Sequence, residues 1–539
     1  MRVADLIISS IAEAGTNTIF SLSGNQIMSL YDAAYDQDMT IIHARHEAGA
    51  VFMADGFARS SHRTGVALCT AGPGFTNAIG PLYALMASES PVVLITGDSP
   101  VHMDGRRPFQ ELNQTAISAP LVKESWRLTN SNNIDAAIRE AMHVARSGRH
   151  GPVHLAIPED VLNETTQSPL FPPTIHSEDD SFVVSPSDLS AITMALDASQ
   201  KPVILTGSTI SSSRNRALID AVRHQHKIPV IAMTSPRGLA DPMLGRIKDI
   251  LAEADGIILL DKEPDFVLGF GSREIMPAQR IIVCAAQSGT VTLANQVFFG
   301  NMTWGCIADP VSSMKAIAKA DLRSRPQAWL KSVEKRLMER PAIPALELQA
   351  KDHITPAMVM RDFAKIIDLS APPLIVCDGG EFSQWVQSGL PDPINIATHT
   401  LTNGPSGGIG GAIPQAIGMA FANPGRHVVA FMGDGSAGFH LSDIETARRA
   451  GLPITFIVGN DQRWGAEVEI QKKQFGDDRV HSCDLDAETR YDLIAEGLGA
   501  KGYFVDHPDT MASTMATALN DASTSLINIA ISGVAAPKF

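Results

Sequence analysis

Short apolar runs recur along the chain, separated by stretches whose apolar residues return every three or four positions, and the runs end in Gly, Pro, Asp or Asn. Such runs read as strands buried on both faces and the stretches between them as covering helices, so the pattern predicts an α/β fold of mainly parallel sheets flanked by helices. In the first part the reading is strand 41–44, helix 47–59, strand 66–70, a Gly-rich turn, helix 76–87 and strand 92–96. The middle part gives strands at 203–205, 230–232 and 257–260. The last part gives strands at 374–377, 428–432, 454–458 and 526–531. Two stretches read as linkers. One, 163–186, holds Pro169, Pro172, Pro173 and the acidic Glu178-Asp179-Asp180; the other, 323–356, holds Pro326, Pro341, Pro344 and a charged amphipathic helix. They divide the chain into three expected domains, 1–165, 186–322 and 350–532, with no repeat at the level of residue identity.

Composition narrows the class. A chain of 539 residues is too long for one core. With 44% hydrophobic and 19% charged residues it reads as a soluble globular protein with a large core. A net charge of -15 without a basic cluster argues against a nucleic-acid partner. The opening residues have helical spacing around Asp5 and Glu13 rather than the plan of a targeting signal, and no apolar stretch is long enough to span a bilayer, so a cytoplasmic enzyme is expected. Cys69, Cys284, Cys306, Cys377 and Cys483 are odd in number and scattered, which fits neither a disulfide framework nor a zinc site and points to a reducing compartment.

The densest chemistry lies at 428–466. An apolar strand runs into Gly433-Asp434-Gly435-Ser436, and a helix bearing Asp443, Glu445 and Arg448 follows. Glycines admit a phosphate to the backbone, a helix start offers free N–H groups, and an Asp at a strand's carboxyl end can hold a metal. A second strand ends in Gly459-Asn460-Asp461-Gln462, which sets Asp461 at the same sheet edge, 27 residues beyond Asp434. Asp434, Asp461 and a backbone carbonyl at Arg463, with a diphosphate, suit the oxygen-rich shell of magnesium. Taken alone, Gly-Asp-Gly after a strand fits an ordinary tight turn equally well.

The surrounding residues carry a resemblance. Ile417-Gly418, Pro424, Val429, Phe431, Gly433-Asp434-Gly435-Ser436 and Asn460-Asp461 stand at the spacing of the thiamine diphosphate enzymes, and the chain resembles their acetolactate synthase and benzaldehyde lyase branch over essentially its whole length. Asp461 departs from the usual Asn, which adds charge beside the diphosphate and bears on metal affinity. The resemblance implies thiamine diphosphate and Mg2+ as cofactors, and pyrimidine-binding, central and diphosphate-binding roles for the three domains in order. It implies no flavin, because the stretch from Asp261 to Phe299 does not resemble the flavin-binding one of acetolactate synthases.

His43 to Arg59 resembles the segment that supplies the family's catalytic glutamate, Glu47 here. Its carboxyl hydrogen-bonds the aminopyrimidine ring and favours the imino tautomer that removes the thiazolium proton. Without the family context Glu47 reads as a helix-start residue favoured by the dipole, and His43 and His46 keep such a reading. Gly404 to Gly411 resembles the family's bending segment, so that Gly407 would offer a carbonyl to the exocyclic amine and Ile409 would be the wedge between the two rings. Further matches are 22–26, 71–77, 109–111 and 378–382. They imply cofactor contacts at Gly72, Asn77, Gly380, Ser383, Gly433, Gly435, Ser436, Asp461, Trp464 and Gly465, and substrate-facing roles for Asn25, Gln26 and Gln110. Trp464 reads equally as a pocket wall or as core.

Family members place the catalytic glutamate and the diphosphate module on different subunits, which implies a homodimer or homotetramer. Acetolactate synthase-like reaction of a 2-oxo acid is the first expectation, with the Arg106-Arg107 pair available to attract a carboxylate or to form a solvated loop. A benzaldehyde lyase-like reaction, and then a 2-hydroxyacyl-CoA lyase or oxalyl-CoA decarboxylase, follow it.

Overall fold

The computed structural model describes residues 1–61, 63–166, 183–278, 280–392 and 399–539. The linker's prolines and its acidic triplet, within 167–182, lie outside the described residues. Among the described residues the strands form three all-parallel sheets flanked by helices, as the apolar pattern predicts.

The first sheet holds β1 (Thr18–Ser21), β2 (Thr40–His43), β3 (Gly65–Cys69), β4 (Val92–Asp98), β5 (Glu124–Arg127) and β6 (Val153–Pro158), in the order β2-β1-β3-β4-β6-β5. The second holds β7 (Pro202–Thr206), β8 (Val230–Ala232), β9 (Gly256–Leu260), β10 (Arg280–Ala285) and β11 (Met302–Ile307), in the order β11-β10-β9-β7-β8. The third holds β12 (Leu374–Asp378), β13 (Thr400–Thr402), β14 (Val428–Gly433), β15 (Ile454–Asn460), β16 (Lys501–Val505) and β17 (Ser525–Ala530), in the order β13-β12-β14-β15-β17-β16.

The first and third sheets therefore share one topology although no residue repeat announces it. In each, the winding direction reverses between the first and third strands, and in such sheets ligands bind beyond the carboxyl ends of the strands at that point. The interior strands β3, β4, β12 and β15 are buried on both faces, as their unbroken apolar runs require. Each sheet has its own apolar core, built around Ile19, Val93 and Leu155 in the first, Ile204, Ile258 and Ile282 in the second, and Ile375, Phe431 and Ile527 in the third.

By internal contacts the described residues divide into two compact units, 1–234 with 247–334, and 235–246 with 335–539. The amphipathic helix expected in the second linker is Ala328–Met338, and the division falls within it. The five cysteines are all buried and unbonded. Among the described residues no helix is long and apolar enough to cross a membrane.

Asp241, in the short segment that joins the second unit, is buried and caps Pro242–Leu244 through the Met243 N–H at 2.8 Å. Burial pushes its carboxyl up to about 6, against that N–H and the nearby Arg237 and Arg340 charges. A carboxyl raised on folding contributes stability that is complete below its unfolded value of 3.8 and is lost as pH rises through about 6. Asp241→Asn keeps a capping oxygen and removes the titration. The unfolding free energy of the unsubstituted protein, measured against this variant, is expected to fall by about 2–3 kcal/mol between pH 4 and pH 7. Parallel pH curves in urea denaturation would rule this out.

Candidate active site

In the second unit, β12 and β14 end side by side at the reversal point of the third sheet. Gly433 and Asp434 leave β14, and Asp461 follows β15, its neighbour. Asp434 is buried; its Oδ1 accepts the Gly435 N–H at 2.9 Å, while Oδ2 is buried without a hydrogen-bond partner. Burial first, and then the Asp461 charge, raise the Asp434 carboxyl to about 7. Burial likewise lifts Asp461 to about 6, with Arg463 opposing it and Glu381 adding to it. Two desolvated carboxylates with an orphaned oxygen are unfavourable alone and are relieved by a cation. No cluster of three or more His, Cys, Asp or Glu suited to a metal occurs among the described residues. The pair therefore fits a cation whose remaining oxygens come from a phosphate, water and a backbone carbonyl. The Arg463 carbonyl, the expected third ligand, already accepts the Gly465 N–H at 3.1 Å and keeps its second lone pair.

These groups line a recess together with Gly380, Gly435, Ser436 and Ile409. Its walls are packed at glycines. A Cβ on Gly435 would lie 2.7 Å from the Trp464 ring, one on Gly380 would lie 2.6 Å from Ala466, and one on Gly459 would lie 2.6 Å from the Phe382 ring. At Gly433 nothing lies within 4 Å of that position, so its backbone faces the open recess. Trp464 is half-buried, packs on Gly435 and lines the recess. Gly465 starts the helix Gly465–Phe475, and a Cβ on it would lie 3.2 Å from Asp461 Oδ2. Gly407 is exposed with φ +67°, and Ile409 is half-buried at the recess. Ser383 is not brought there: it is buried one turn into the helix Glu381–Gly389, where Gln387 donates to its Oγ at 3.4 Å.

In the first unit a second cluster forms where β1 and β3 end. Glu47 opens the helix Glu47–Ser60 after β2, is buried, and accepts a hydrogen bond from Asn77 Nδ2 at 3.0 Å. His46 caps that helix through the Ala48 N–H at 3.1 Å, and His43 Nε2 lies 3.1 Å from Ser23 Oγ, so both histidines take structural positions. Gln26 is buried and its Oε1 accepts from Thr70 Oγ1, while Asn25 is exposed on the adjoining turn. Gln110 has φ +62° and a buried Oε1 with no partner. Gly72 has φ +56° and passes so close that a Cβ on it would lie 2.8 Å from the Gln110 Cβ. Gly72→Ala is therefore expected to displace Gln110 as well as strain the turn. The expected result is a rise in KM of about tenfold with a loss of no more than about 3 kcal/mol in stability. Unchanged KM would disconnect Gly72 from Gln110.

Three sets of contacts in these clusters are not written in any local stretch of sequence. Asp378 accepts three backbone N–H groups beneath the Ile409 loop. Arg237 donates to the Gly380 carbonyl at 2.8 Å from a segment nearly 150 residues away in the chain. Arg127 joins Asp98 to Asp104 in the loop that leads to Gln110. Each depends on residues far apart in sequence, which only the folded backbone brings together.

Comparison with known proteins agrees with the geometry. Residues 1–117 match the family model described as the N-terminal TPP binding domain of thiamine pyrophosphate enzymes, and residues 378–529 match the C-terminal TPP binding domain. The chain is 28% identical over 531 residues to the acetolactate synthase large subunit of Lactococcus lactis subsp. lactis (strain IL1403), covering 95% of this chain and 89% of that protein. It is 29% identical over 594 residues to 2-hydroxyacyl-CoA lyase 2 of Caenorhabditis elegans, covering 98% and 89%. It is 27% identical over 565 residues to the acetolactate synthase of Bacillus subtilis (strain 168), covering 98% and 93%.

Proposed function

We propose, given that this chain belongs to the thiamine pyrophosphate enzymes on the acetolactate synthase branch, that it joins a 2-oxo acid, with loss of its carboxyl group, to a second carbonyl compound. When bound, thiamine diphosphate would supply the nucleophilic carbon that such chemistry on a carbonyl needs. The protein's own residues bind, bend and protonate. Asp434, Asp461 and the Arg463 carbonyl would hold a magnesium ion, and Gly433, Gly435, Ser436 and Gly465 would give a diphosphate backbone access. Gly380 and Trp464 wall that end. Ile409 would be the wedge between the cofactor's two rings, and the Gly407 carbonyl would accept from its exocyclic amine. Glu47, oriented by Asn77, holds a proton at the pyrimidine ring nitrogen; Gly72 lets the turn approach it, and Gln110, Gln26 and Asn25 face the substrate.

The observation that carries this reading is the buried, unpartnered Asp434 Oδ2 beside Asp461 at the sheet's reversal point. The proposal keeps three domains at 1–165, 186–322 and 350–532, a homodimer or homotetramer with each site shared between subunits, and a cytoplasmic enzyme without flavin. Similarity to the Caenorhabditis elegans lyase at 29% identity favours one second reading, cleavage of a 2-hydroxyacyl-CoA to an aldehyde and an acyl-CoA product. Incubation with thiamine diphosphate, Mg2+ and a panel of 2-oxo acids, 2-hydroxy ketones and 2-hydroxyacyl-CoA esters, followed by mass spectrometry, separates them. A 2-hydroxy-2-alkyl-3-oxo acid from the 2-oxo acid is expected. Turnover of the CoA ester alone selects the second reading, and no turnover in any mixture contradicts both.

A further inference from the structure

We infer that Asp378 is a positioning residue, whose carboxylate fixes the loop carrying Gly407 and Ile409 so that the Ile409 side chain stays in the recess. The inference rests on the reading of Ile409 as the wedge between the cofactor's rings. Asp378 ends β12 and is 1% exposed. Its Oδ1 accepts the Gly379 N–H at 2.6 Å, and its Oδ2 accepts the N–H groups of Gly410 at 2.8 Å and Ala412 at 3.0 Å. A buried carboxylate that accepts three main-chain donors forms a strong and geometrically restrictive anchor. It ties the loop to the sheet directly after Ile409.

The opposite side of the loop is held as well. Gly410 has φ +91°, a conformation open to glycine, and a Cβ there would lie 2.5 Å from the Phe439 ring. Residue 410 is thus trapped between the Asp378 carboxylate and an aromatic face, and Ile409, its neighbour, projects at the recess wall. Because the diphosphate end is held by Asp434 and its neighbours, loosening this anchor leaves cofactor affinity largely intact. The loss falls on the ring geometry that proton removal depends on.

Asp378→Asn makes the test. One of its two side-chain positions becomes an N–H donor and must face either the Gly379 N–H or the Gly410 and Ala412 pair, so the anchor breaks on one side. In holoenzyme with thiamine diphosphate and Mg2+, the thiazolium proton should exchange with deuterium about 10- to 100-fold more slowly, with cofactor affinity changed by less than about threefold. Ile409→Ala should give the same pattern. Asp378→Asn added to it should cost less than about a further threefold, since both act through one side chain. Undiminished exchange in Asp378→Asn, or fully additive losses, overturns the inference while leaving the functional reading intact. No cofactor-dependent exchange in the unsubstituted enzyme overturns the functional reading and this inference with it. If Asp378→Asn fails to fold, amide hydrogen exchange of the unsubstituted enzyme over residues 407–413 decides the matter. Protection of Gly410 and Ala412 comparable to β12 is expected, and fast exchange there overturns the anchor.

Discussion

Glu47→Gln should slow exchange of the bound cofactor's thiazolium proton by about 10²- to 10⁴-fold, the range by which a positioned acid–base group accelerates proton transfer. The buried carboxyl receives Asn77 Nδ2 at 3.0 Å, and a Cβ on Gly74 would lie 3.5 Å from its second oxygen. Gln fills the same space and can keep the Asn77 contact, so the fold and the melting temperature should change little. What it loses is a proton that can move to and from the pyrimidine nitrogen. Glu47→Ala should show the same kinetic loss together with a stability cost of about 1–3 kcal/mol, because Asn77 is left without its acceptor. Exchange at the unsubstituted rate in Glu47→Gln would remove Glu47 from catalysis.

Asp434→Asn is the second large effect, and its sign is expected to depend on ligand. Without cofactor, Asp434 is a buried carboxyl raised to about 7 by desolvation and the Asp461 charge, with Oδ2 unpartnered. Replacing it by a neutral amide should raise the melting temperature of the cofactor-free protein. With thiamine diphosphate and Mg2+ the order should invert. Removing a direct metal ligand should weaken Mg2+-dependent cofactor binding by about 100-fold or more, beyond the usual cost of losing an outer-shell partner. The stabilisation of about 2.7 kcal/mol that ligand at 100 times its dissociation constant confers on the unsubstituted enzyme should then largely vanish. Melting curves with and without cofactor and metal read both halves. Destabilisation of the cofactor-free variant, or an unchanged cofactor-induced shift, would contradict the assignment of Asp434.

Much of the interior of each sheet was legible because buried parallel strands are written as apolar runs. β3, β4, β12, β14 and β15 fall within two residues of their expected limits at every end. Of the edge strands, β2 and β8 were legible, while β5, β11, β13 and β16 were not. β5 reads Glu-Ser-Trp-Arg, β13 reads Thr-Leu-Thr and β16 begins Lys-Gly, because an edge strand pairs on one side only and keeps polar residues outward. β1, β6 and β10 are interior runs too, yet the strands expected from the sequence leave them out. At the site, Gly433-Asp434-Gly435 and Asp461 are close enough in sequence to suggest a shared edge. Asp378 and its partners Gly410 and Ala412 are more than thirty residues apart, and no local pattern couples them. The adhesion of 235–246 to the second unit is equally silent, since a segment's own residues do not say which core it joins.

The central claim, that Glu47 of one subunit and the Asp434 module of another complete each site, is tested most directly by complementation. Glu47→Gln and Asp434→Ala, each inactive alone, are unfolded, mixed in equal amounts and refolded with thiamine diphosphate and Mg2+. Random pairing into symmetric dimers makes half of them mixed, each with one fully intact site, so about a quarter of the unsubstituted turnover should return. A mixture as inactive as its two components would contradict the claim.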